Sequence, residues 1–208
     1  MAGRGKYKED FDEQTGRLYD TVFLFDLTIG LQTWQLNPAK QGDKTVNDLV
    51  FHPNSPYLFA AYQDRSVLNW DMENGERENI YQDHRGTANA VAISPDGTLL
   101  AAAIDHLVRL WSSTRGWVYN KPTPTLSLQV LNAENRMPFY DVTFSPDNTM
   151  LAAGTDAYIT IWNPLNGQET MTLNGGGLSL AFTPDGQTLV AGNGLGITVW
   201  DLSNGTAR

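Results

Sequence analysis

Four stretches of the chain alternate apolar and polar residues and then stop at a proline. They are Val46-Asn-Asp-Leu-Val-Phe-His-Pro53, Ala88-Asn-Ala-Val-Ala-Ile-Ser-Pro95, Phe139-Tyr-Asp-Val-Thr-Phe-Ser-Pro146 and Gly177-Leu-Ser-Leu-Ala-Phe-Thr-Pro184. Period-two alternation predicts half-buried strands, with Val91 and Ile93, or Val142 and Phe144, on one face. A tryptophan follows each proline by 16 or 17 residues, at Trp70, Trp111, Trp162 and Trp200. The prolines themselves lie 42, 51 and 38 residues apart, so the chain is built from a repeated unit.

Each unit predicts four strands. After the alternating strand comes a turn, Ser94-Pro-Asp-Gly97 or Thr183-Pro-Asp-Gly186, where Pro presets one dihedral and Gly accepts a positive φ. The second strand is rich in small residues, as in Leu99-Leu-Ala-Ala-Ala103, which suits a wedge-shaped sheet crowded near an axis. The third is β-branched and ends in Trp, as in Tyr158-Ile-Thr-Ile-Trp162. A second turn leads to a more polar fourth strand, Gln168-Glu-Thr-Met-Thr-Leu173, fit for an edge facing water. Strands at this spacing predict an all-β fold, a propeller of four-stranded antiparallel blades.

The ends depart from the pattern. Thr21 to Phe25, Asp26, a turn at Leu27 to Gly30, and Leu31 to Gln35 read as the third and fourth strands of a blade that lacks its first two. The last repeat reads as stopping after its third strand. The expected organisation is a polar tail over 1–20, a half blade over 21–37, blades over about 44–83, 84–132 and 135–174, and a partial blade over 175–208. An arc belonging to a larger propeller is the expectation, with self-association through open blade edges. The repeat between Trp111 and Pro146 runs about ten residues long, the excess lying in Ser112 to Thr125.

These residues resemble the WD-repeat family from about Thr21 onward. The family's terminal dipeptide stands as Trp70-Asp71 and Trp200-Asp201, and is altered to Trp111-Ser112 and Trp162-Asn163. The resemblance assigns Asp64, Asp105 and Asp156, six residues before their tryptophans, to the turn between second and third strands, while Gly194 breaks that slot in the last repeat. Asp83-His84 matches the family's Gly-His dipeptide. Alanines stand in the second strand where the family commonly supplies Ser or Thr, so a weakened internal hydrogen-bond network around His84, Asp105 and Trp111 is expected.

Charge and composition narrow the partners. Fourteen basic against 23 acidic residues give a net charge of −9, which repels nucleic acid and anionic membranes. No stretch nears the roughly 18 apolar residues of a membrane span. The absence of cysteine removes disulfides and thiolate metal sites and fits a cytoplasmic protein. No metal or cofactor is expected, and no catalytic residue; Asn174-Gly-Gly-Gly177 lacks the residues of a phosphate loop.

The expected partner is therefore another protein or peptide, met by a non-catalytic scaffold or sensor within a larger assembly. Two surfaces are candidates. Arg136, Met137, Phe139 and Tyr140 enter the third full repeat on the His84 face, where the resemblance places partner binding near the axis. Trp117 and Tyr119 lie on the long insertion, on the opposite face. The rival reading is a propeller enzyme with an axial site, for which Asp64, Asp105 and Asp156 are the available carboxylates.

Overall fold

A computed structural model describes residues 11–12, 17–18, 22–36, 45–82, 86–112, 126–128 and 137–207. Among the described residues all regular structure is β, with no helix long and apolar enough to cross a membrane. Twenty strands form four four-stranded sheets and two two-stranded ones.

The first whole blade comprises β5 (Val46–Phe51), β6 (Tyr57–Tyr62), β7 (Ser66–Asp71) and β8 (Arg77–Gln82). The second comprises β9 (Ala88–Ile93), β10 (Leu99–Ile104), β11 (Leu107–Ser112) and β12 (Leu126–Leu128). The third runs through β13 (Asp141–Phe144), β14 (Leu151–Gly154), β15 (Tyr158–Trp162) and β16 (Glu169–Asn174). The fourth holds β17 (Ser179–Phe182), β18 (Thr188–Asn193), β19 (Gly196–Asp201) and β20 (Thr206–Ala207). Each is an antiparallel meander in chain order. The half blade is β3 (Val22–Asp26) paired with β4 (Leu31–Leu36). A short ladder of β1 (Phe11–Asp12) and β2 (Arg17–Leu18) lies inside the segment expected to be tail.

One expectation needs correction. The last blade does have a fourth strand, because Asp201 accepts from the Ser203 amide and hydroxyl and Gly205 N–H donates to the Asp201 carbonyl. That turn returns the chain so that Asp201 pairs Thr206 and Trp200 pairs Ala207.

The first strands β5, β9, β13 and β17 neighbour one another in sequence, so they form the inner wall around the axis. Their turns are built by one device. Ser94 Oγ donates to Asp96 Oδ1 at 2.6 Å and accepts from Leu99 N–H, and Ser145 with Asp147 and Met150 repeats it. The turn needs a left-handed residue, which is Gly97 at φ 77° in one blade and Asn148 at φ 62° in another. Asparagine tolerates that region better than other side chains.

The core lies between blades, not within them. Phe59, Ala61, Val67 and Tyr81 of the first blade are buried with Val91, Leu100, Ala102, Ile104 and Trp111 of the second. Ala90, Ala101, Ala103, Val108 and Leu110 likewise meet Phe139, Val142, Leu151 and Trp162. Ile159 and Ile161 meet Leu180, Leu189 and Trp200, while Val22 and Leu36 of the half blade meet Leu58, Leu68 and Trp70. Small residues set the spacing: a Cβ on Gly154 would stand 2.0 Å from the Gly177 carbonyl oxygen.

Because Trp111 is buried at such a junction, Trp111→Ala is expected to lower unfolding free energy by about 3–5 kcal/mol in urea titrations. A loss below about 1 kcal/mol would place this side chain outside the core.

Candidate functional site

Neighbouring blades are clasped at three heights. On the face bearing the second-to-third-strand turns, Asn47 Nδ2 donates to the Ala88 carbonyl at 2.8 Å and Asn89 Nδ2 to the Phe139 carbonyl at 2.7 Å. Midway down the inner wall, Asp48 accepts from Val91 N–H at 2.9 Å and Asp141 from Leu180 N–H at 2.6 Å. On the opposite face His52 Nε2 lies 3.0 Å from the Gly97 carbonyl oxygen, and Asp96 N–H donates to Asn148 Oδ1 at 3.2 Å.

The upper clasp is missing at the later junctions. In the register of Asn47 and Asn89 the third and fourth blades carry Tyr140 and Leu178, which are 41% and 43% exposed. Large apolar side chains thus replace bonded amides on one sector of the rim. Two acidic turns border them. Phe139 N–H donates to the Asp105 carbonyl at 2.7 Å, and a Cβ on Gly176 would stand 2.1 Å from the Asp156 carbonyl oxygen. Asp105 also meets His106 Nδ1 at 3.0 Å.

Phe139 is not part of this surface. It is 1% exposed and stacks edge-on against Trp162, with ring centroids 5.8 Å apart, because its backbone is drawn onto the preceding blade. As a binding anchor it is corrected to core. Met137 is half-buried beside it. Arg136, Trp117, Tyr119 and His84 lie outside the described residues.

Asp64, Asp105 and Asp156 occupy separate turns of separate blades, and among the described residues no three Asp, Glu or His side chains are grouped to hold a metal ion. Asp64 accepts from the Ser66 amide and hydroxyl. Asp105 adopts φ 52°. At Asp156 the turn is held instead by Thr155 Oγ1, which accepts from Tyr158 N–H at 3.0 Å. Trp70, Trp111, Trp162 and Trp200 are all buried. The indole N–H groups of Trp111 and Trp200 have no acceptor among the described residues.

The inner wall encloses a cleft of about 270 Å³ between Asp48, Val91 and Asp141. Burial raises both carboxyls above their ordinary value, and the charge of Asp48 raises Asp141 further, against the backbone donors that favour ionisation. In the turns the order reverses: the Ser145 and Thr183 hydroxyls hold Asp147 and Asp185 below theirs.

The family model described as "WD domain, G-beta repeat" matches residues 34–71, 75–112 and 127–163, more than half of the chain. The chain belongs to the WD-repeat family. Each matched WD repeat begins at or just before the outer strand of one blade and ends just after the tryptophan strand of the next, so every repeat staples two blades covalently. The chain is 30% identical over 118 residues to eukaryotic translation initiation factor 3 subunit I of Coccidioides immitis, covering 55% of this chain and 31% of that protein. It is 31% identical over 121 residues to small ribosomal subunit protein RACK1y of Oryza sativa subsp. japonica, covering 57% and 33%. It thus spans about a third of the curated relatives it matches. A chain in the crystal structure of the mitotic checkpoint complex shares the fold at a TM-score of 0.76 and 15% identity, over 91% of this chain and 57% of that one.

The axial carboxyls set a pH dependence. Each keeps its proton to a higher pH folded than unfolded, so its contribution is complete below the ordinary value of 3.8 and is lost as pH rises through the folded value. The stability of the wild type minus that of Asp141→Asn is expected to fall over this window in urea titrations. A difference that rises there would mean that the folded site favours the charged form.

Proposed function

We propose that this WD-repeat chain is a non-catalytic protein-binding platform whose partner docks on the rim sector around Tyr140 and Leu178. The observation that carries the reading is the exchange of bonded Asn47 and Asn89 for exposed Tyr140 and Leu178 at one register of the inner wall. A side chain that no longer clasps its neighbour is available to a partner. Aromatic surface contributes strongly once it is desolvated at the centre of a contact.

The electrostatics define the partner. Asp105 and Asp156 flank the apolar pair, and the whole chain carries −9, so an apolar anchor with Lys or Arg beside it is the complementary segment. The same charge disfavours nucleic acid and anionic lipid. Similar proteins bear the names of a translation initiation factor subunit, a ribosomal subunit protein and a checkpoint complex, which supports membership of a protein assembly and a cytoplasmic setting. Arg136 and Met137 lead into the same sector and extend it; Trp117 and Tyr119 form the rival surface on the insertion.

Affinity capture with the full chain, followed by titration calorimetry on the recovered protein, tests the choice. Tyr140→Ala and Leu178→Asp are each expected to cost more than about 1 kcal/mol in binding with the unfolding midpoint preserved, while Trp117→Ala matters little. Normal binding by the first two variants and loss with Trp117→Ala would move the site to the insertion.

A further inference from the structure

Every junction inside the arc repeats one pairing of faces. Third-strand side chains that look toward the following blade, Val67, then Val108 and Leu110, then Ile159 and Ile161, are buried against the tryptophan face of that blade. At the fourth blade the same positions are Ile197 and Val199, and Ile197 is 75% exposed. At the half blade the tryptophan slot is Phe25, preceding Asp26 as Trp70 precedes Asp71, and it is 54% exposed with Phe23 beside it on the same face. Among the described residues nothing packs on either surface.

Stacked repeats are normally closed by end units with polar outer faces. Here both outer faces keep the apolar residues of a junction, and they are its opposite halves. We propose that the exit face of one copy, Ile197 and Val199, packs head to tail on the entry face of a second copy, Phe23 and Phe25. The occupant follows from the repeat itself, because each internal junction shows an exit face seated on an entry face. The half blade has only its two outer strands, so the contact covers the outer part of the blade, and exposed Leu49 and Phe51 form its inner margin. Such a pairing is heterologous, so copies add in series unless the rotation closes a ring. The net charge of −9 opposes it, and salt strengthens it by screening.

Sedimentation velocity on the full chain over a concentration series, at low and raised salt, tests the proposal with Ile197→Asp and Phe25→Asp. The wild type should associate, more so in salt, and each variant alone should remain monomeric. An equal mixture of the two should form a dimer that grows no further, since one intact exit face and one intact entry face remain. Leu195→Asp, at an exposed turn beside Ile197, should leave association unchanged, and thermal unfolding midpoints confirm that each variant folds. A wild type that stays monomeric at its highest attainable concentration overturns the proposal. So does a mixture that stays monomeric, or Phe25→Asp associating by itself, which would indicate exit faces pairing with each other.

Discussion

Blade-on-blade packing is the interaction on which everything else in this molecule depends. A four-stranded sheet with apolar residues on both faces cannot bury them alone, and each hydrophobic cluster here is shared between two successive blades. The tryptophans make the dependence visible. Trp111 stacks on Tyr81 of the preceding blade at 5.5 Å, so it is core only because that blade is in place. Stability is then a chain of nearest-neighbour terms, as in other repeat proteins.

The polar clasps follow from the same packing. Once blades approach closely enough to bury their alanines, the inner strands bring unpaired backbone groups together along the axis, and each must find a partner. Asn47, Asn89, Asp48 and Asp141 supply those partners. The carboxylates do so at a cost, because the wall that positions them also takes them out of water. The two ends of the axis consequently differ. The turns on the face of Asp96 and Asp147 satisfy their own groups with Ser, Thr and Asp, whereas the face of Tyr140 and Leu178 leaves apolar surface uncovered.

How much of the site was legible follows from which contacts are local. Asp96 bonds Ser94 and Thr98, Asp147 bonds Ser145 and Thr149, and Asp185 bonds Thr183 and Gln187, all within two residues, so the recurring Ser-Pro-Asp and Thr-Pro-Asp motifs located these turns directly. Asp48 and Asp141 were passed over although both stand in the aligned strands. The signal was there: an acidic residue recurs at one register of an otherwise apolar strand, with Ala90 and Ser179 in the same column. Reading the column rather than the motif would also have set Tyr140 and Leu178 apart from Asn47 and Asn89.

The sequence by itself determined the strands, their order, the turn chemistry and the tryptophan positions, because each rests on periodicity or on bonds spanning a few residues. Only the tertiary structure decided which side chains are spent at a junction and which are left over. Phe139 and Tyr140 are adjacent and both aromatic, yet one is sealed against Trp162 and the other faces solvent. Ile159 and Ile197 hold one repeat position, yet the first is buried and the second exposed. The difference is the presence of a neighbouring blade, a contact between residues far apart in the chain that no local pattern encodes.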